Sequence, residues 1–457
     1  MARAARRTCL LFIRLAVLGL AVALAGCDDS QPGATSRVVV FSDVHFNPFY
    51  DPALFRTLVD TPEERWADVF ATSPTTGPGT WGDETNYPLL VQSLDSIRDG
   101  GATQLVIFGG DMLTHGFSST FYALYGSQDV AAMRRFTLKT VSFFARQVRS
   151  RVGNTPVVFT LGNNDSYEGN YKIEPNGAFL ADTAGPFLAQ FLAGAADSGR
   201  FMQSYMAGGY YVAEPAGPGL VVVALNTIFL SPNAAAGIEG AVRAELDWLD
   251  ATLAAARAAG KKVWIVMHIP PGADIFSTKG KVDAQGHIND AAMNWQPDPQ
   301  LRFLQIMNAH RDIVAATFAG HTHVDEYRLP AGSLEISSSI SPVYGNDPAY
   351  KTFTFADDSL SLTDYTTTNL RLGDARPVYE AYYTFSTAYP VSGPLDSALA
   401  SLFPMLRAAA QPQATYRQRY YAGHDAGSPI TDANWPVYWC GIAKMARQDV
   451  VDCVNGY

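Results

Sequence analysis

Five short stretches of this sequence place oxygen and nitrogen donors at the ends of apolar runs. Asp43 and His45 close "RVVVFSDVH", and Asp111 closes "QLVIFGGD", with His115 four residues further on. Asn163 closes "PVVFTLGN" and runs straight into Asn164 and Asp165. His268 ends "KVWIVMH", while His321 and His323 stand two apart in "AGHTH". Each motif alone says little, because Asn and Asp bond their own backbone in ordinary turns. Together they are seven side chains of ligand type: Asp43, His45, Asp111, Asn163, His268, His321 and His323. Imidazole, carboxylate and amide donors without a thiolate suit zinc, iron or manganese. A carboxylate can bridge two such ions, and two ions held roughly 3.5–4 Å apart activate water and clamp a phosphoryl oxygen. Asp111 is the candidate bridge. His321 and His323, at i and i+2, are expected to point to the same side of an extended segment.

The elements that must carry these groups alternate between apolar strands and helices. Strands are predicted over 37–43, 104–111, 156–163, 219–227, 262–268 and 313–321. Most are continuous apolar runs, as expected where both faces of a sheet are covered. Helical patterns fall between them, in "YPLLVQSLDSIRDGG", "DVAAMRRFTLKTVSFFARQVRS" and "IEGAVRAELDWLDATLAAARAAGKK". The class is therefore α/β. In an open α/β sheet the carboxyl ends of the strands meet at one crevice, where the seven donors would face one another. Residues 333–366 read as an antiparallel finish. The Pro/Gly/Thr segment 72–86 reads as a mobile or lid-like loop.

A chain of 457 residues, 47% hydrophobic and 17% charged, is globular and long enough for one large domain and an appendage. Its first 26 residues stand apart. Arg3, Arg6, Arg7 and Arg14 precede or open a short apolar run that ends in Leu24-Ala25-Gly26-Cys27, the pattern of a lipoprotein signal peptide. Cleavage there would leave Cys27 to carry lipid, anchoring an exported protein to a cell-envelope membrane, on the periplasmic side if the host has two membranes. Loss of the leader takes the formal charge from −10 to about −14. So acidic a chain has no electrostatic reason to seek nucleic acid. A phosphate site in it must therefore be made locally, and metal ions are the expected source of its positive charge. Cys440 and Cys453, an even pair on an exported chain, favour one disulfide. His287, His310 and His424 have no partner pattern and read as surface or loop groups.

The ordered series D-x-H, G-D, G-N, H and G-H-T-H resembles the calcineurin-like metallophosphoesterase superfamily over roughly residues 37–366. "GGDMLTHG", "HIPPG", "ALNTIF", "GHTHVDEY" and "SISPVYGNDPAY" are similar to its acid sphingomyelinase-like branch. The resemblance implies a layered fold with two mixed β-sheets flanked by helices, a catalytic domain over 37–373 after a linker at 27–36, and a C-terminal helical extension over 374–457. It implies two divalent metal ions, zinc first with iron or manganese as alternatives. Asp43, His45 and His323 would hold one ion, Asn163, His268 and His321 the other, with Asp111 bridging. A hydroxide bridging them would attack a phosphodiester or phosphoanhydride. The expected substrate is a small-molecule or lipid head-group phosphoester, and the expected state a monomer. Asn164 departs from the family's G-N-H pattern and resembles the G-N-N-D variant of endopolyphosphatase-like members. An amide cannot do acid–base work, only donate a hydrogen bond to developing charge. The general acid is then expected to be His115. Tyr344 and Asn346 are candidate substrate contacts, and Asp165 a carboxylate that steadies Asn163 or a ligand histidine. The alternatives are a phosphomonoesterase with the same metal site and a non-catalytic envelope lipoprotein that binds a phosphate ligand.

Overall fold

Apolar runs rich in Val, Ile and Phe form the strands, and charged, Ala-rich stretches with periodic apolar positions form the helices around them. The computed structural model describes residues 34–457, apart from 193, 216–218 and 426. The signal peptide, Cys27 and most of the linker lie outside the described residues. Twelve strands follow in chain order: β1 (Thr35–Phe41), β2 (Leu105–Phe108), β3 (Val157–Phe159), β4 (Tyr211–Ala213), β5 (Leu220–Ala224), β6 (Lys262–Val266), β7 (Val314–Ala319), β8 (Glu326–Arg328), β9 (Leu334–Ile336), β10 (Ala349–Ala356), β11 (Leu362–Leu370) and β12 (Tyr379–Thr384).

They make two six-stranded mixed sheets, β12-β11-β10-β1-β2-β3 and β4-β5-β6-β7-β9-β8. Each sheet contains a run of three parallel strands, β1-β2-β3 and β5-β6-β7, whose connections contain helices. The antiparallel finish takes the form of β10 and β11, with β10 paired to β1. The sheets face each other through a shared core. Trp264 of β6 stands edge-on against Phe355 of β10 at 5.0 Å, and Phe318 of β7 against Phe353 at 5.4 Å. With both faces covered, the inner strands are apolar without alternation, as their sequences require.

Two features differ from the reading of the sequence. The crevice is not the edge of one open sheet: β1, β2 and β3 supply donors from one sheet, β6 and β7 from the other. The segment after residue 374 is also not helical throughout, because β12 pairs with β11 and extends the first sheet. Its Tyr and Thr content is that of a half-buried strand. Helices follow it, and Cys440 is bonded to Cys453 between the helices Trp435–Ala443 and Arg447–Asn455. This region is stitched to the second sheet by Leu329 N–H to Ile442 O and Asp325 N–H to Tyr420 O. Among the described residues no helix is long and apolar enough to cross a membrane.

Candidate metal centre

Each donor lies just beyond the last residue of a parallel strand, where the chain must turn away from the sheet. The turns are unusual. Asp43, His45, Asp111, His321 and His323 all have left-handed backbone, with φ of 51°, 45°, 57°, 72° and 62°. Such a conformation costs a residue bearing a Cβ roughly 1–3 kcal/mol, and it persists where the surroundings over-determine it. His321 and His323 therefore do not lie on an extended segment; their side chains converge because both peptides are turned over. Small residues make room. A Cβ on Gly162 would overlap the Asp111 carboxylate, and one on Gly320 would overlap Ser42 and Asp43.

The turns bring all seven side chains together, six of them buried and His321 half-buried. His323 Nε2 is 3.4 Å from Asp43 Oδ1 and 3.1 Å from His45 Nε2. His268 Nε2 lies 3.4 Å from Asp111 Oδ2, 3.1 Å from Asn163 Oδ1 and 3.9 Å from Asp43. His45 Nε2 is 3.5 Å from Asp111 Oδ2. His321 packs edge-on against His268. Asp43–His45–His323 and Asp43–Asp111–His268 each converge closely enough for a single ion.

The orientation of these groups fits cations. His45 Nδ1 lies 3.1 Å from Leu113 O, and His268 Nδ1 lies 2.7 Å from Gly109 O. A carbonyl only accepts, so each Nδ1 donates, and in the neutral ring each Nε2 presents a lone pair. With both rings neutral, as metal ligation requires, those lone pairs face carboxylate and amide oxygens, acceptor against acceptor. Asn163 is set the same way: its Nδ2 donates to Asn170 Oδ1 at 2.7 Å, which turns its oxygen toward His268. Protons alone serve the cluster poorly. Burial pushes Asp43 up to about 7 and His45 down to about 4, and only His268, where the Asp111 and Asp43 carboxylates outweigh burial, rises to about 9. Two buried carboxylates among imidazoles call for divalent charge.

The surrounding residues divide into expected and unexpected. Asn164 does not turn its amide to the cavity: Nδ2 and its backbone N–H donate to the two Asp111 oxygens at 3.0 and 2.7 Å. A short amide on the turn after Asn163 reaches Asp111 before it can reach anything beyond, so the expected oxyanion donor is a brace. Asp165 holds neither Asn163 nor a histidine. Its oxygens accept from the backbone N–H groups of Asp111, Met112, Leu113 and Gly162, clamping the second and third donor turns together. His115 stacks on His45 at 4.2 Å, with Nδ1 held by Glu84 Oε1 at 2.5 Å and Nε2 3.3 Å from the Tyr344 hydroxyl. Tyr344 is exposed, edge-on to His323. Asn346 lines the same cavity but is buried, its Nδ2 donating to Ser339 Oγ and O.

Glu84, Asn170 and Tyr171, whose hydroxyl is 3.5 Å from His321 Nε2, carry no signal in the sequence. Glu84 sits in the segment expected to be a lid. That segment is instead tied down by Gly82 N–H to Pro342 O, Trp81 Nε1 to Asp347, and the Glu84 contacts. His310 is buried against Asp250, not a surface group, and His424 stacks on Trp81 at 3.9 Å in the cavity wall. His287 is exposed in its loop, as expected.

The calcineurin-like phosphoesterase profile matches residues 36–325. Sphingomyelinase phosphodiesterase D of Dictyostelium discoideum is 28% identical over 318 residues, covering 64% of this chain and 62% of that protein. Acid sphingomyelinase-like phosphodiesterase 3b of Homo sapiens is 24% identical over 425 residues, covering 86% and 83%. The match thus spans less than two thirds of the first relative's length and most of the second's. A dimetal phosphatase from Danio rerio is 13% identical, covering 76% of this chain and 99% of that one with a TM-score of 0.41. With its profile covering more than half of the sequence, the chain belongs to the calcineurin-like phosphoesterase family.

Proposed function

We infer that this protein is a dinuclear-metal phosphoesterase acting on phosphodiester or phosphoanhydride bonds. The observation that carries the reading is the placement of the Nε2 atoms of His45 and His268, turned by backbone carbonyls onto Asp111. Asp43, His45 and His323 would hold one divalent ion, Asn163, His268 and His321 the other, and Asp111 both. When bound, such a pair supplies Lewis-acid activation of water and neutralises charge on the phosphoryl oxygens. The chain's own residues do the rest. Asn164 and Asp165 fix Asp111 and its loop. Glu84 orients His115, whose Nε2 delivers a proton to the departing oxygen, and Tyr344 steadies that nitrogen from the open side. A diester is favoured over a monoester because relatives carry the name phosphodiesterase.

The test uses bis(4-nitrophenyl) phosphate and 4-nitrophenyl phosphate with chelator-stripped protein. Turnover is expected to return with Zn²⁺ or Mn²⁺ and to be faster on the diester. No turnover with any divalent ion would refute the reading, and a faster monoester would make the protein a phosphomonoesterase.

Export and lipid attachment at Cys27 belong to the same proposal, supported by the Leu24–Cys27 pattern and by a disulfide suited to an oxidising compartment. Cys27→Ser is expected to move the protein from the membrane to the soluble envelope fraction on fractionation. Unchanged membrane retention would dismiss the anchor.

A further inference from the structure

A cavity of about 670 Å³ opens beside His321 and His323. Part of its wall is the short helix Ile275–Lys279 and the segment that carries Tyr421, Ser428 and Tyr438. Neither sequence motifs nor the metal centre account for what stands there. The Lys279 ammonium lies 4.8 Å from the centre of the Phe276 ring and 6.0 Å from those of Tyr421 and Tyr438. It donates to Ser428 Oγ at 2.5 Å and to the Tyr421 hydroxyl at 3.3 Å.

Three aromatic rings around a positive nitrogen form the kind of cage that receives quaternary ammonium ligands. Here the chain's own ammonium occupies it. A second cation brought to these rings meets like charge and finds their faces already engaged. Lys279 has three N–H donors, two of them used, and it makes no ion pair among the described residues. The acids of the same wall are otherwise committed. Glu326 is paired with Arg328 and accepts from Tyr420, and Asp274 accepts from Ser277 N and Oγ at the start of its helix. The cavity therefore offers an ammonium that no carboxylate pairs among the described residues, with a donor to spare, in the same space as the metal-site histidines.

We propose that Lys279 makes this cavity select phosphoesters whose distal part carries a second anionic group, a phosphate or carboxylate beyond the scissile phosphorus, and reject those ending in a quaternary ammonium. The proposal rests on the hydrolytic reading above and gives its substrate class. It separates this chain from relatives named for sphingomyelin, whose head group ends in choline.

Binding and turnover test it separately. Tryptophan fluorescence, with Trp81 in the wall, follows titration of the zinc-loaded protein with ethylene glycol bisphosphate and with phosphocholine. The bisphosphate is expected to bind at least about tenfold tighter. In Lys279→Met the ratio falls to within about threefold, and in Lys279→Arg it returns. Equal affinities in the unmodified protein, or a ratio that survives Lys279→Met, would overturn the proposal. Turnover of 4-nitrophenyl diesters bearing 2-phosphoethyl or choline tails should rank the same way. ADP-ribose in solution and phosphatidylinositol 4-phosphate in vesicles then identify which carrier presents the anion, and resistance of both to Lys279→Met counts against the proposal. If the binding ratio behaves as expected while no diester is hydrolysed, the hydrolytic reading fails and the Lys279 assignment stands.

Discussion

Asp111→Ala is expected to lower the bound metal from two ions per chain toward none and to reduce kcat by at least about a thousandfold. The carboxylate lies within 3.5 Å of both His45 and His268, one histidine from each proposed ligand set. It is also the acceptor for both Asn164 donors. Removing it leaves Asn164 unpaired and two imidazole Nε2 atoms without the charge they face. Elemental analysis of the purified variant, set beside its rate on bis(4-nitrophenyl) phosphate, checks the expectation, and a native far-UV circular dichroism spectrum excludes simple unfolding. Normal metal content with a normal rate would show that Asp111 bridges nothing. Asn164→Ala probes the brace. It should loosen one ion and cost far less than loss of the bridge, because Asp111 also keeps its backbone bond to Asn164 N–H.

His115→Gln is expected to retain both ions and still lose about 10²–10⁴-fold in kcat, the range typical of a positioned proton donor. The loss should be smallest for 4-nitrophenol, a leaving group that departs without protonation, and largest for an alkyl diester. Equal losses across leaving groups would rule out a proton donor. Glu84 sharpens the test. Burial opposes a charge on His115, and the Glu84 carboxylate outweighs it, so the imidazole's pKa stands above its ordinary value. A donor must be protonated, so activity falls as pH rises through that pKa. In Glu84→Gln the raising influence is gone, and the basic limb of the kcat profile moves to lower pH. A basic limb that stays in place would mean that Glu84 merely holds the loop, as its contacts with Thr114 and with His115 N–H allow.

What composition and order determined about this chain is local. The continuous apolar runs could form only covered strands, and the positions of Asp43, Asp111, Asn163, His268 and His321 just beyond them followed from where each run ends. Asp165 shows where that legibility stops: its type said carboxylate near a metal turn, but its four backbone partners lie 3 to 54 residues away and depend on how two loops meet. Glu84 and Lys279 are further cases, ordinary charged residues on ordinary stretches whose meaning lies in a histidine 31 residues on and a cage closed by Tyr421 and Tyr438. The left-handed turns at five of the seven donors were equally invisible, since backbone strain of that kind is favoured by nothing in a residue's own preferences and exists only where packing from two sheets compels it. Short-range pattern reports which side chains can sit at a strand end; which of them share a cavity is decided by contacts between segments hundreds of residues apart, whose energies no single stretch contains.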